Sequence, residues 1–364
     1  MKILDIDHVE FYAGDADTLA RSLCGAYGFR VYGRGGPETG LPGQRSVLVG
    51  QGAIRVLLTS GLYADHRASQ FVARHGDGAA VIALRTDSAA NAYGEADAAG
   101  ARSVSEPRTW ENDEARVVAA EIEGFADVVY RLIDRDGADS EFQPGAIVME
   151  PGVGTAAADD LLTRIDHAAV CVPAGDLAPT VGFHEEVLGF TTIFQEYVEV
   201  GAQGITSKVV QSPSGGATFT VIEPDPGRQA GHIDDFLAWH GGAGVQHLAY
   251  LTDDIVAAVR TFAGRGVRFA VTPTSYHDML QARLGVPAIP VEELRPLGIL
   301  ADRDHWGQMY QIFAQSMHSR RTYFEELIDR RGARTFGMNN ISALYAAKER
   351  ELAGTRQISG MTHD

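Results

Sequence analysis

The stretch Ile165-Asp166-His167-Ala168-Ala169-Val170-Cys171, followed by a helical segment and then Leu188-Gly189-Phe190, decides the fold because it repeats an earlier passage. Near the start stand Ile6-Asp7-His8-Val9-Glu10-Phe11-Tyr12, a helical segment, and Tyr27-Gly28-Phe29. Self-similarity of this kind marks a repeated supersecondary unit. In both copies a short strand comes first. A helix follows, with apolar residues about four apart (Leu19, Leu23, Tyr27; Leu177, Val181, Leu188), and a glycine suited to positive φ ends it.

A weaker echo lies further along each half, where His75-Gly76-Asp77-Gly78-Ala79-Ala80-Val81 can be laid on His240 through His247 with one residue of slack. Each begins a second unit, with a Gly-rich turn, a strand and a helix (Ala89 to Ala99; Asp254 to Gly264). Runs rich in Val, Ile, Phe and Tyr follow as strands: Arg116 to Ile122, Val128 to Ile133, Lys208 to Gln211, Thr218 to Ile222 and Gln308 to Phe313. The pattern predicts an α+β chain of four βαβββ units, two per domain. The domains are expected at 1–150 and 161–354, joined by a linker within Gly137 to Asp160, with a disordered tail at 355–364.

Composition narrows the function. The 364 residues are 45% apolar and 22% charged, enough to build two packed domains. A balance of 31 Lys+Arg against 48 Asp+Glu, net −17, repels phosphate backbones and anionic lipid, so neither nucleic acid nor a membrane is an expected partner. Cys24 and Cys171 are the whole cysteine complement, which makes no disulfide framework and fits a reducing cytoplasm.

Two of the twelve histidines stand out. His167 and His247 lie on short apolar strands that the repeat places at equivalent points of neighbouring units, so two imidazoles can converge on one site. The N-terminal copy has His8 at the first point but Val81 at the second, and is expected to be metal-free. A third ligand is sought on a late strand, Arg321-Thr322-Tyr323-Phe324-Glu325-Glu326-Leu327-Ile328. Its adjacent carboxylates point to opposite faces, one inside and one outside. Two histidines and a carboxylate form the facial triad of non-haem Fe(II) oxygenases. Asp7 and Asp166 read as turn or edge residues, and Gln246 as pointing away from the face of His247.

The run Gly242-Ala243-Gly244-Val245-Gln246-His247-Leu248-Ala249, the run Ser207 to Gly215, Gln311-Ile312-Phe313, and Phe336-Gly337 followed by Asn340 resemble the 4-hydroxyphenylpyruvate dioxygenase family of the vicinal oxygen chelate superfamily. The resemblance covers the chain to about Gly354. It implies two open mixed β-barrels with helices outside and a C-terminal lid helix over about Asn340 to Leu352. It also implies Fe(II) held by His167, His247 and Glu326, and a homo-oligomer, a dimer favoured. Counting back from Phe336 selects Glu326 over Glu325, where the family usually has an aromatic residue. A ring-cleaving extradiol enzyme fits the C-terminal motifs less well, and a drug-sequestering protein of the superfamily would need no triad.

The family implies 4-hydroxyphenylpyruvate and O2 as reactants and divides into two activities. Dioxygenases hydroxylate the ring and give homogentisate, whereas 4-hydroxymandelate synthases hydroxylate the benzylic carbon, a product suited to antibiotic biosynthesis. The dioxygenase pattern Pro-x-Asn-Glu-Pro is here Thr220-Val221-Ile222-Glu223-Pro224, and phenylalanines of the C-terminal helix are replaced by Ile341 and Tyr345. These replacements point to the synthase branch. The match also implies that Ser207, Thr220, Ile222, Gln311, Phe336, Ile341 and Tyr345 line the substrate pocket.

Overall fold

In the computed structural model, residues 1–337 are described apart from 139, 140, 153–156 and 158, together with 339, 340 and 343. The N-terminal strands are β1 (Ile3–Tyr12), β2 (Arg30–Gly35), β3 (Gln44–Gln51), β4 (Ile54–Gly61), β5 (Gly78–Thr86), β6 (Ser103–Glu111), β7 (Ala115–Glu123), β8 (Val129–Gly137) and β9 (Val148–Met149). The C-terminal strands are β10 (Arg164–Cys171), β11 (Thr191–Val200), β12 (Gln203–Gln211), β13 (Thr218–Pro224), β14 (Gly244–Leu251), β15 (Leu300–Arg303), β16 (Gln308–Phe313) and β17 (Phe324–Arg331).

Each half forms one curled mixed sheet, in the order β6-β7-β8-β5-β1-β4-β3-β2-β9 and β11-β12-β13-β10-β14-β17-β16-β15. Within every unit the first strand pairs parallel with the last, and the first strands of two units pair antiparallel at the centre of the sheet. This is the doubled βαβββ architecture expected from the repeat.

The helices between first and second strands are α1 (Ala16–Tyr27), α3 (Ala89–Ala98), α4 (Leu177–Glu186) and α6 (Ile255–Gly264), while α2 (Arg67–His75) and α5 (His232–His240) connect the units. Asp15 caps α1 by accepting from the Thr18 amide at 3.0 Å, and Gly28, at φ 76°, closes it in the left-handed region that glycine adopts without a Cβ clash. Apolar residues of α1, α3, α4 and α6 share one large core with residues from one face of both sheets, among them Val9, Val56, Leu132, Val170, Phe219, Leu248 and Leu327. The halves meet in this core. Phe11 stands edge-on to Tyr323 at 4.7 Å, and the Tyr130 hydroxyl lies 2.6 Å from Nε2 of His184. Connectors α2 and α5 pack on the opposite faces, where Phe71 meets Val81, and Ile233 and Phe236 meet Cys171.

Two sequence expectations need correction. The strand expected from Arg321 begins at Phe324, since Arg321 has φ 57° and cannot lie in an extended ladder. The stretch read as a linker is partly integral to the N-terminal half: Val148 and Met149 pair with β2, and Phe142 and Ile147 are buried against Tyr32 and Leu48.

Candidate active site

The central pair β10 and β14 contains two bulges, and both fall beside a histidine. Ile165 faces Tyr250 and His167 faces Ala249, so Asp166 is an extra residue; Ala169 faces His247 and Val170 faces Val245, so Gln246 is another. A bulge suspends the alternation of side chains, and consecutive residues can then act at one place. Asp166 Oδ2 lies 2.8 Å from His167 Nδ1, and Gln246 Oε1 lies 3.3 Å from His247 Nδ1. Donation from each Nδ1–H leaves the Nε2 lone pairs free. The neighbouring strand β17 aligns Glu326 with Ala249, which brings Glu326 Oε2 to 3.4 Å from His167 Nε2 and 3.2 Å from His247 Nε2.

Three buried ligand atoms thus lie within 4.8 Å of one another. Two imidazole lone pairs and a carboxylate facing each other repel unless a proton or a cation stands between them. Burial alone would lower the pKa of His167, but the Asp166 and Glu326 carboxylates outweigh it and push it up to about 9. Burial likewise opposes ionisation of Glu326, yet hydrogen bonds from both histidines bring it down to about 2. A cluster that draws a proton inward in this way draws a divalent cation in its place, and the donor set suits Fe(II). The rings of Phe336 and Phe313 stand 5.1 and 5.9 Å from His167 and His247, and Phe324 stacks on His247 at 4.9 Å, giving the centre apolar walls.

The strand register sets Ser207, Thr220, Ile222 and Gln311 on the triad's face of the sheet. Ser207 faces Ile222, Thr220 neighbours Ala169, itself opposite His247, and Gln311 faces Ile328, two residues beyond Glu326. Thr220 Oγ1 and Gln311 Oε1 are buried with no hydrogen-bond partner among the described residues, which leaves both available to a ligand. Gly337, at φ 70°, lets the chain after Phe336 pass Gln311, since a Cβ there would come within 2.5 Å of the Gln311 amide nitrogen. Ile341, Tyr345 and most of the expected lid helix lie outside the described residues.

Glu325 faces away from the triad, as alternation requires, but it is not solvated. It is 2% exposed and accepts a hydrogen bond from the Tyr27 hydroxyl of α1 at 3.1 Å, and burial pushes its pKa up to about 7. The readings of Asp166 and Asp7 as turn or edge residues are also corrected: both are buried and hold a histidine. Gln246 contacts the His247 ring instead of turning away, because the bulge breaks the alternation on which that expectation rested.

Arg330 is a residue that sequence reasoning missed. It grips Asp166 through Nε and Nη2 at 2.7 and 2.8 Å, lies 4.9 Å above the Phe336 ring, and donates to the Thr335 carbonyl at 2.7 Å. The signal lay in the repeat. In the N-terminal half Arg135 grips Asp7 at 2.7 and 2.8 Å and lies 4.8 Å above Phe142, whose ring stands 4.8 Å from His8, and Asp7 lies 2.6 Å from His8 Nδ1. In that half Val81 occupies the place of His247 and Arg131 that of Glu326, with Nη1 3.0 Å from His8 Nε2, so among the described residues the three-ligand set is not repeated there.

Fold and site together define a two-barrel vicinal oxygen chelate protein with a two-histidine, one-carboxylate metal centre in its C-terminal half. Residues 1–143 match the family described as hydroxyphenylpyruvate dioxygenase, N-terminal, and residues 164–282 match the glyoxalase/bleomycin resistance protein/dioxygenase superfamily. The chain is 31% identical over 372 residues to 4-hydroxyphenylpyruvate dioxygenase of Aspergillus fumigatus, covering 95% of this chain and 92% of that protein. The same-named protein of Dictyostelium discoideum is 30% identical, with 95% and 97% covered. Among solved structures, a triple mutant of 4-hydroxymandelate synthase from Streptomyces coelicolor superposes with a TM-score of 0.86 at 37% identity, over 96% of this chain and 99% of that one. A Mn(II)-bound glyoxalase from Novosphingobium aromaticivorans, at 12% identity and a TM-score of 0.52, shares the fold. The chain belongs to the 4-hydroxyphenylpyruvate dioxygenase family.

Proposed function

We propose that the protein is an Fe(II)-dependent oxygenase that converts 4-hydroxyphenylpyruvate and O2 into 4-hydroxymandelate and CO2. The observation that carries the reading is the buried triad of His167, His247 and Glu326 on a sheet face that also bears Thr220 and Gln311 with unpaired polar atoms. His167, His247 and Glu326 would hold Fe(II), which would supply the redox chemistry that couples decarboxylation of the keto acid to hydroxylation by O2. The chain's own residues do the rest. Asp166 and Gln246 keep the lone pairs of His167 and His247 aimed at the metal position. Phe313, Phe324 and Phe336 keep water away, and Thr220 and Gln311 offer hydrogen bonds to the polar ends of the substrate.

Where the aryl ring rests selects the product, since a displacement of about 1 Å changes relative rates by roughly a hundredfold. Ile222 puts a hydrocarbon where the ring-hydroxylating pattern has an asparagine, and its surroundings are apolar, with Cys171, Val198 and Ile205. Loss of that polar anchor favours a pose with the benzylic carbon toward the oxidant. The 37% identity to a 4-hydroxymandelate synthase supports the same reading. Ring hydroxylation to homogentisate is the second reading, supported by the dioxygenase names of the curated relatives at about 30% identity.

Chromatography of the products from 4-hydroxyphenylpyruvate tests the choice. Hydroxymandelate as the main product is expected, and homogentisate would overturn the synthase reading while leaving the iron site intact. Ile222→Asn combined with Ile341→Phe and Tyr345→Phe should divert part of the flux to ring-hydroxylated products.

A further inference from the structure

The N-terminal half retains a cavity at the place equivalent to the metal centre, with a volume of about 300 Å³, within the range of pockets that enclose small organic ligands. A metal is excluded there because the Arg131 guanidinium touches His8 Nε2. The polar floor is already neutralised: Arg131 pairs with Glu10 and Glu121 at 2.7 Å each, and Arg67 pairs with Glu121 at 2.7 Å. Any charge on a ligand must be met elsewhere.

Strand β6 supplies that element. Arg108 and Trp110, two residues apart, both line the cavity, and the Arg108 guanidinium lies 4.9 Å above the indole ring. Glu106 also lines the cavity, but among the described residues no ion pair within 4.0 Å joins it or any other carboxylate to Arg108, and Trp110 Nε1 is buried without an acceptor. A cation and an unsatisfied N–H side by side call for an anionic acceptor. Leu41, Leu57, Phe142 and Ile147 also line the cavity and suit an apolar ring.

We propose that this cavity binds a small aromatic monocarboxylate, the carboxylate held by Arg108 and Trp110 and the ring enclosed by Leu41, Leu57, Phe142 and Ile147. The site is separate from the metal centre and does not depend on which product that centre forms. Metal-free full-length protein titrated with 4-hydroxyphenylacetate, which has no keto group for chelation, provides the test by equilibrium dialysis and tryptophan fluorescence.

Saturation at one equivalent with a change in indole emission is expected. Arg108→Gln, an exposed change that leaves the fold alone, should weaken binding by roughly tenfold or more. Trp110→Phe should remove the emission change, and Glu326→Ala should leave the affinity unchanged. Absence of saturable binding overturns the proposal, as does binding that survives both Arg108→Gln and Trp110→Phe, or binding that disappears in Glu326→Ala.

Discussion

The two half-barrels carry the same frame around different centres. Each has an aspartate in a bulge, the histidine beside it, an arginine gripping the aspartate, and a phenylalanine beneath that arginine: Asp7, His8, Arg135 and Phe142 in one, Asp166, His167, Arg330 and Phe336 in the other. The frame therefore occurs both with and without the full set of three ligands, and belongs to the fold. Two positions make the difference. His247 and Glu326, with His167, leave two lone pairs and a carboxylate converging on one point, whereas Val81 and Arg131 remove two donors and fill the point with a covalently tethered cation. One sheet thus carries a metal-binding triad and its copy a floor of paired charges.

The largest effect that can break this comparison is loss of the centre. Alanine at His167, His247 or Glu326 should abolish both metal uptake and turnover, whereas His8→Ala should keep one metal per chain and the activity of the folded protein. Metal analysis beside a turnover assay checks it, and a His8 variant that loses iron with its fold intact would defeat the asymmetry.

A smaller effect concerns the tethered cation. Arg131→Met strands the buried Glu10, leaves Glu121 with Arg67 as its remaining cation, and should cost about 3–5 kcal/mol at neutral pH, read by denaturant unfolding. The pH dependence sharpens the point. Burial opposes ionisation of Glu121, but Arg131 and Arg67 pull its pKa from 4.5 down to about 2. Its contribution to stability is full above 4.5 and is lost as the pH falls toward 2. In Arg131→Met this acid-side loss should shrink, and the gap to the parent protein should narrow on acidification.

The smallest effect tests the frame itself. Asp166→Asn keeps the shape but weakens the hold on His167, and should lower iron affinity about 10–100-fold while the protein stays folded. Asp7→Asn should leave iron affinity unchanged. Metal titration of both variants separates a frame that serves the centre from one that serves only packing.

Much of this was legible in the chain. The repeat of Ile-Asp-His, the helix spacing and the glycine after α1 derive from local periodicity and backbone sterics, which a sequence displays directly. The convergence of His167 with His247 followed from placing two copies of one unit side by side. Glu326 was selected over Glu325 by resemblance, and the register of β17 against β14 gives the physical reason, since only Glu326 falls on the face of His247. Gln246 was misread because strand alternation was assumed through a bulge, and Asp166 was read as a turn or edge residue although it sits in a bulge inside the sheet; a bulge depends on how the partner strand pairs.

What the sequence by itself determined, then, was the doubled unit, the substitution of Val81 for a second histidine in one half and the residue types of the centre, because these depend on neighbours a few positions away or on comparison of the copies. The tertiary structure alone decided that Arg330 clamps Asp166, that Glu325 is buried against Tyr27, and that Arg131 stands in the place of a metal. Each of those contacts joins residues more than a hundred positions apart, and no local pattern encodes which distant side chain a curled sheet will bring within hydrogen-bonding distance.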